Sequence, residues 1–241
     1  MSALGAQLRA ELQLVSRNSE QLLLTLGIPI LLLVFFDLVD VLPTGTDEPA
    51  QFLLPGILSL AVMSSAMVSL GIATGFERSY QVLKRLGATP LGRRRLILAK
   101  IISVFCVEAI QVVVLLPIGL LLGWRPSNET WPLAMFVVLL GTSAFAGIGL
   151  ILAGTLRGEI NLAAQNGLYL VLLLLGGIIV PMDELPAPLR TISHALPSTA
   201  LADVMREALT SGSSMLGTSL VVLLLWAIVA PLIAIRVFRW S

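Results

Sequence analysis

The chain has 241 residues, 57% of them apolar and 12% charged, with a mean hydropathy of +0.97 and a formal net charge of +1. That is far more apolar surface than a soluble core of this size needs to bury, which excludes an ordinary soluble domain and points to a chain solvated by lipid. The near-neutral charge balance gives no reason to expect nucleic acid as a partner.

A hydrocarbon layer about 30 Å thick requires roughly 20 apolar residues per crossing helix. Six stretches meet that length: Leu22–Val41, Phe52–Phe76, Leu96–Leu122, Pro132–Leu156, Leu162–Val180 and Leu216–Val237. They are continuously apolar and do not alternate, so the spans are helices and not barrel strands. The expected fold is an all-α membrane protein, a single transmembrane domain over residues 1–241 with six transmembrane helices.

Ahead of the first span, residues 1–21 mix polar and apolar positions and lack the short apolar core and cleavage site of an export signal, so the first span is expected to be retained. Leu4, Leu8, Leu12 and Val15 share a helical face, interrupted by Glu11. Asp37 and Asp40 lie near the outer end of span one, where water reaches them. In span two, Gly71-x-x-x-Gly75 lets another helix approach closely, within the subunit or across a dimer.

Between spans two and three stands "ERSYQVLKRLGATPLGRRR", which holds six of the fifteen basic residues. At 100° per residue, Phe76, Tyr80, Leu83 and Leu86 share one arc, and Glu77, Arg78, Gln81, Lys84 and Arg85 occupy the other. The spacing predicts an amphipathic helix over Glu77–Leu86, with Glu77 near its N-terminus, Lys84 and Arg85 near its C-terminus, and a stop at Gly87 and Thr89-Pro90. About ten residues cover roughly 15 Å, too short to cross a bilayer and long enough to dock in a socket. Arg93, Arg94 and Arg95 read as a topology anchor at the start of span three.

Within span three, Cys106, the single cysteine, excludes an intrachain disulfide and reads as a small buried residue. Glu108 in the same span costs about 2.5–3.5 kcal/mol on insertion scales, so it is expected to face protein or water, either lining a path or hydrogen-bonding a neighbour such as Gln111. Between spans five and six, Pro181, Pro186, Pro188 and Pro197 forbid one continuous helix. Two short helices are expected instead, around Ala187–Ala195 and Thr199–Leu209, with Ser198 or Thr199 capping the second and Leu189, Ile192 and Leu196 on one face of the first. His194, the lone histidine, has no partner suited to metal binding or a proton switch and reads as a capping or surface residue.

Six spans put both termini on one side, and basic residues collect in cytoplasmic loops. With the termini and the loops after spans two and four inside, Arg9, Arg17, Arg78, Lys84, Arg85, Arg93, Arg94, Arg95, Lys100, Arg157, Arg236 and Arg239 are cytoplasmic. Only Arg125, Arg190 and Arg206 stay outside, together with Asp37, Asp40, Asp47, Glu48, Glu129, Asp183, Glu184, Asp203 and Glu207. Both termini are therefore expected in the cytoplasm.

Two stretches in register carry a resemblance. "GFERSYQVLKRLGATPLGRRRLILAKI" shows Glu-Arg, a short helix, Leu-x-x-x-Pro and a basic start to span three. "GGIIVPMDELPAPLRTISHALPSTALADVMREAL" shows Gly, a proline-bounded turn, a Leu-Pro-x-x-Leu helix, a Pro-x-Thr break and a second short helix. With the six-span order, the chain resembles, over nearly its whole length, the permease subunits of type-two ABC exporters of the daunorubicin-resistance and polysaccharide-export kind. One departure stands out: many members carry a Gly after Glu-Arg, where this chain has Ser79-Tyr80-Gln81, so the docking surface differs in detail.

The resemblance implies that residues 77–87 form the cytoplasmic coupling helix, with Glu77, Arg78, Tyr80, Gln81, Leu83, Lys84 and Arg85 meeting a separate ABC ATPase subunit. It implies an interfacial helix over residues 1–21, within Ala3–Glu20, and extracellular re-entrant helices over 181–210, where Pro181, Leu189, Ile192 and Pro197 close the exit. It further implies export of a lipid-like, drug-like or glycolipid substrate across the cell membrane by a pair of permease subunits, identical or related, with two ATPase chains. A phosphate-cradling loop needs Gly-x-x-x-x-Gly-Lys before Ser or Thr, yet Lys84 precedes Arg and Lys100 precedes Ile. ATP and Mg are then expected on the partner, with no cofactor, metal or catalytic residue in this chain. Intramembrane enzymes lack their residue sets here. An ion-coupled secondary transporter or a non-transporting membrane scaffold are the alternatives, the first resting on Glu108, although matching broken helices are not visible in the sequence.

Overall fold

The structure, a computed structural model, describes residues 3–39, 49–126, 131–179, 181–211 and 217–238. The expectations placed on Asp40, Asp47, Glu48, Glu129 and Arg239, and on the side chains of Glu20 and Arg93, lie outside the described residues.

The N-terminal segment forms α1 (Ala3–Arg17), which meets α2 (Ser19–Leu38) at a bend of 65°. Span two is a rod of 31 residues, Pro49–Ser79, in which α3 (Pro49–Met63) and α4 (Leu70–Ser79) are joined by a π-helical stretch, Ser64–Ser69. There follow α5 (Val82–Gly87), α6 (Gly92–Leu121), α7 (Trp131–Thr155), α8 (Gly158–Leu175), the short α9 (Ala187–Ser193) and α10 (Pro197–Arg206), and α11 (Gly217–Val237). Among the described residues there is no strand. Five helices are long and apolar enough to cross a membrane, and the bent α1–α2 pair makes six if taken as one span. This is a multi-pass bundle. Pro29, Pro55, Pro117 and Pro231 stand inside helices, as lipid-solvated helices tolerate when neighbours satisfy the freed backbone groups.

Span two is the hub: 83% of its apolar window is buried within the chain, against 17% for α8 and 22% for α11. It packs against α2, α6, α7, α8 and α10. The second inner element, α7, runs along α11, with Gly147 close enough that an added Cβ would meet Pro231 N at 2.5 Å. The residues of Gly71-x-x-x-Gly75 face α8 of the same chain: Cβ atoms at these positions would collide with the amides of Gln165 and Asn161. Asn161 Nδ2 instead donates to Gly71 O at 2.9 Å, and Gln165 Nε2 donates to Gly149 O at 2.9 Å, so two buried amides stitch α8 to α4 and α7.

The expected single helix over Glu77–Leu86 is not observed. The α4 helix ends at Ser79, and Gln81 adopts a left-handed conformation at φ 61°, so the chain turns before α5 begins at Val82. The turn rotates the apolar stripe out of register. Leu83 is fully buried, whereas Tyr80 is 73% exposed and stacks on Phe76. The cap of the outer helix also differs. Pro197 takes the first helical position after Leu196, and neither Ser198 nor Thr199 caps; a proline there has its missing N–H where no partner is needed.

Candidate functional site

At the end of span two that leads into α5, three helices meet on one ammonium. Lys100 of α6, 1% exposed, lies 3.0 Å from Glu11 Oε1 of α1 and 2.8 Å from Glu77 Oε2 of α4, and also donates to Glu77 Oε1 at 3.0 Å. Gln7 Nε2 donates to Glu11 Oε1 at 2.8 Å, holding that carboxylate from its own helix. A buried lysine is stable in such a place only when its charge is paired and its N–H groups are used. The triad therefore ties the N-terminal helix, span two and span three together at the root of the turn.

Glu77 belongs to this brace, and Arg78 to the contact between α4 and α7. Arg78 Nη1 donates to Ala153 O at 3.2 Å and Leu156 O at 3.1 Å, meeting carbonyls left open at the C-terminus of α7. Leu83 is likewise internal, anchoring α5 to the core. The outward surface is formed by Tyr80, Gln81, Val82, Lys84 and Arg85, all exposed. Among these, Val82 was absent from the surface expected on sequence, because a continuous helix leaves it off both arcs. Lys100 and Glu11 were missed as a pair. The signal available was an acid interrupting the apolar face of α1 and a lysine set past the start of an apolar span.

Beside the triad a cleft of ≈ 490 Å³ opens between α1, α2, α4 and α6. Its wall is mostly apolar, with Leu22, Leu70, Phe76, Val104 and Val107 flanked by Ser65, Ser69 and Ser103. Glu108 and Gln111 do not line it. Both are 1% exposed and hydrogen-bonded inside the bundle: Thr142 of α7 donates to Glu108 Oε2, while Gln111 accepts from Ser65 Oγ at 3.1 Å and donates to Thr25 O at 2.9 Å. Glu108 and Gln111 do not pair with each other, and Glu108 Oε1 has no hydrogen-bond partner among the described residues.

Between α8 and α11 lie the two short helices α9 and α10. Arg206 Nη2 donates to Gly177 O at 2.5 Å and Ile178 O at 2.9 Å, and its guanidinium lies 4.0 Å from the centre of the Phe52 ring. Trp226 Nε1 of α11 donates to Ala195 O at 3.0 Å, and Ser219 Oγ donates to Asp203 Oδ2 at 3.2 Å. Pro197 is buried, Pro181 half-buried, and Leu189 and Ile192 are exposed. His194 is exposed just past α9. Arg206, read on sequence only as an outer charge, ties α10 to the segment that follows α8.

A multi-pass helical bundle with a charge-braced end and a short exposed helix between its second and third spans has the architecture of a membrane permease. Comparison with known proteins places it more closely: residues 2–210 match the ABC-2 type transporter family, and the chain belongs to that family. It is similar to the probable multidrug ABC transporter permease YbhS of Escherichia coli K12, 23% identical over 187 residues, covering 74% of this chain and 49% of that protein. It is also similar to the putative transport permease YvfS of Bacillus subtilis 168, 26% identical over 217 residues and 88% of each chain. The chain thus spans about half the length of the Escherichia coli relative and most of the Bacillus one.

Proposed function

We propose that the chain is the membrane-spanning permease subunit of an ATP-driven exporter, worked by a separate ATPase that docks on Tyr80, Gln81, Val82, Lys84 and Arg85. Its termini lie in the cytoplasm and the α9–α10 hairpin dips into the outer leaflet of the cell membrane, closing the exit. Two permease subunits and two ATPase chains complete the transporter, with ATP and Mg held by the ATPase. The substrate is a lipid-like, drug-like or glycolipid molecule. The name of the Escherichia coli relative, a probable multidrug permease, supports the drug-like choice.

The observation that carries this reading is the Glu11–Lys100–Glu77 brace at the root of the exposed turn. A push on an exposed helix does work only if the helix is tied to what must move. Here Leu83 locks α5 into the core, and Glu77, two residues before the helix break begins at Ser79, is bonded to span three and, through Lys100, to the N-terminal helix. Closure of an ATPase pair on this surface would tilt spans two and three together, a rigid-body step of the kind that alternates access.

The test is uphill movement of a fluorescent amphiphile in proteoliposomes holding this chain with its ATPase. Accumulation that requires both ATP and the ATPase chain is expected. A second reading, an ion-coupled carrier, draws on Glu108, a buried carboxyl at membrane depth. Accumulation by this chain alone, driven by an imposed proton or sodium gradient, would favour it and remove the first.

A further inference from the structure

The cleft beside the triad has a chemistry that its bracing role leaves unused. Lys100 places its ammonium on three carboxylate oxygens, Glu11 Oε1 and both oxygens of Glu77, so it has no donor left for a ligand. Two carboxylates against one ammonium leave a surplus negative charge among half-buried and buried groups. The Glu77 side chain keeps 18% of its surface exposed, and the Glu11 side chain 9%. Among the described residues the other charged group on the lining is Arg17, which is exposed, so water screens its charge. The rest of the wall is mostly apolar, Leu22, Leu70, Phe76, Val104 and Val107 above all, with the hydroxyls of Thr25, Ser65, Ser69 and Ser103 among them.

The geometry points to this cleft as a binding site for a singly charged cationic amphiphile, its ammonium beside Glu11 and Glu77 and its apolar body along the α4 and α6 walls. An anion would meet the surplus charge of its own sign, and a neutral amphiphile would leave that charge without a partner, so charge complementarity selects the cation. At ≈ 490 Å³ the space has the size of a small-molecule pocket. Glu11, Glu77 and Lys100 are themselves on its wall, so a ligand seated there touches the brace. This deepens the transport reading by naming a substrate class, and it rests on that reading for its role in export.

Binding is tested on this chain alone, in phosphatidylcholine nanodiscs, without ATPase or nucleotide, so its outcome is independent of whether ATP drives transport. Ala73 is exposed on the cleft wall, and Ala73→Cys in a Cys106→Ser background gives one thiol for maleimide labelling. The probes are dodecyltrimethylammonium and dodecanol, which share a chain and differ in charge. The cation is expected to slow labelling at a concentration about tenfold below that of the alcohol, the order of preference that Coulombic attraction to a half-buried carboxylate supplies. Glu77→Gln is expected to erase that preference. Glu11→Gln, on a different helix, makes the same test should Glu77→Gln elute as aggregate. Equal protection by both probes, or a cation preference that persists in a monodisperse carboxamide variant, overturns the proposal.

Discussion

The two ends of the bundle are closed by different chemistry. At the end assigned to the cytoplasm, three side chains on three helices hold one another through charge, beside an open cleft. At the other end, Arg206 and Trp226 reach backbone carbonyls of the segments they close, and an added Cβ on Gly56 would press on Ile178 O. Side chains paired across helices tie those helices to one another, whereas a guanidinium set on backbone carbonyls and an aromatic ring ties one helix to the turn after α8. The inner end therefore joins three helices into one unit, and the other end holds α10 against the segment that follows α8.

The largest expected effect is at the inner brace. Lys100→Met leaves Glu11 and Glu77 facing each other without their cation, and a broken buried pair costs about 3–5 kcal/mol. Thermal unfolding in nanodiscs should show the loss, and adding Glu11→Gln with Glu77→Gln should restore most of it. A Lys100→Met protein as stable as its parent would remove the brace from the account.

At the other end, Arg206→Met removes the charged hydrogen bonds that one guanidinium nitrogen makes to two adjacent carbonyls, a combined cost of about 1.5–3 kcal/mol. Arg206→Lys should recover part of it, since a point charge cannot reproduce the planar fork over Phe52. Between the ends, Thr142→Val strips Glu108 of its donor and should cost about 1–3 kcal/mol, with Thr142→Ser close to the parent. Differential scanning of the purified variants ranks all three.

The smallest effect falls on the turn. Gln81 holds a left-handed conformation that glycine adopts freely, so Gln81→Gly should leave stability unchanged or raise it by up to about 1 kcal/mol. Gln81→Val should lower it by at least as much.

The spans were legible because lipid demands long apolar runs, and five of them are helices within a few residues of the expected bounds. The coupling segment was legible as helical and basic but not as broken. No Gly or Asn announces a left-handed residue at Gln81, and periodicity assumes the helix continues. That one dihedral separates Leu83, a core residue, from Tyr80, a surface one, although both lie on the same computed stripe. The triad was hidden for a different reason. Lys100 reads as one more inside-directed charge and Glu11 as a flaw in an amphipathic face, and only tertiary contact turns the two anomalies into a pair. Asn161 and Gln165, spaced like Gly71 and Gly75, were the readable counterpart that four-residue spacing could have matched across helices.

The central claim is that a separate ATPase grips the exposed turn, and affinity purification of this chain with quantitative mass spectrometry tests it most directly. The account predicts a P-loop ATPase in stoichiometric amount with the parent chain, lost when Tyr80→Asp and Val82→Asp are combined and retained in Asn166→Asp, an exposed change on α8. An ATPase held equally by all three proteins, or none held by the parent, would contradict it.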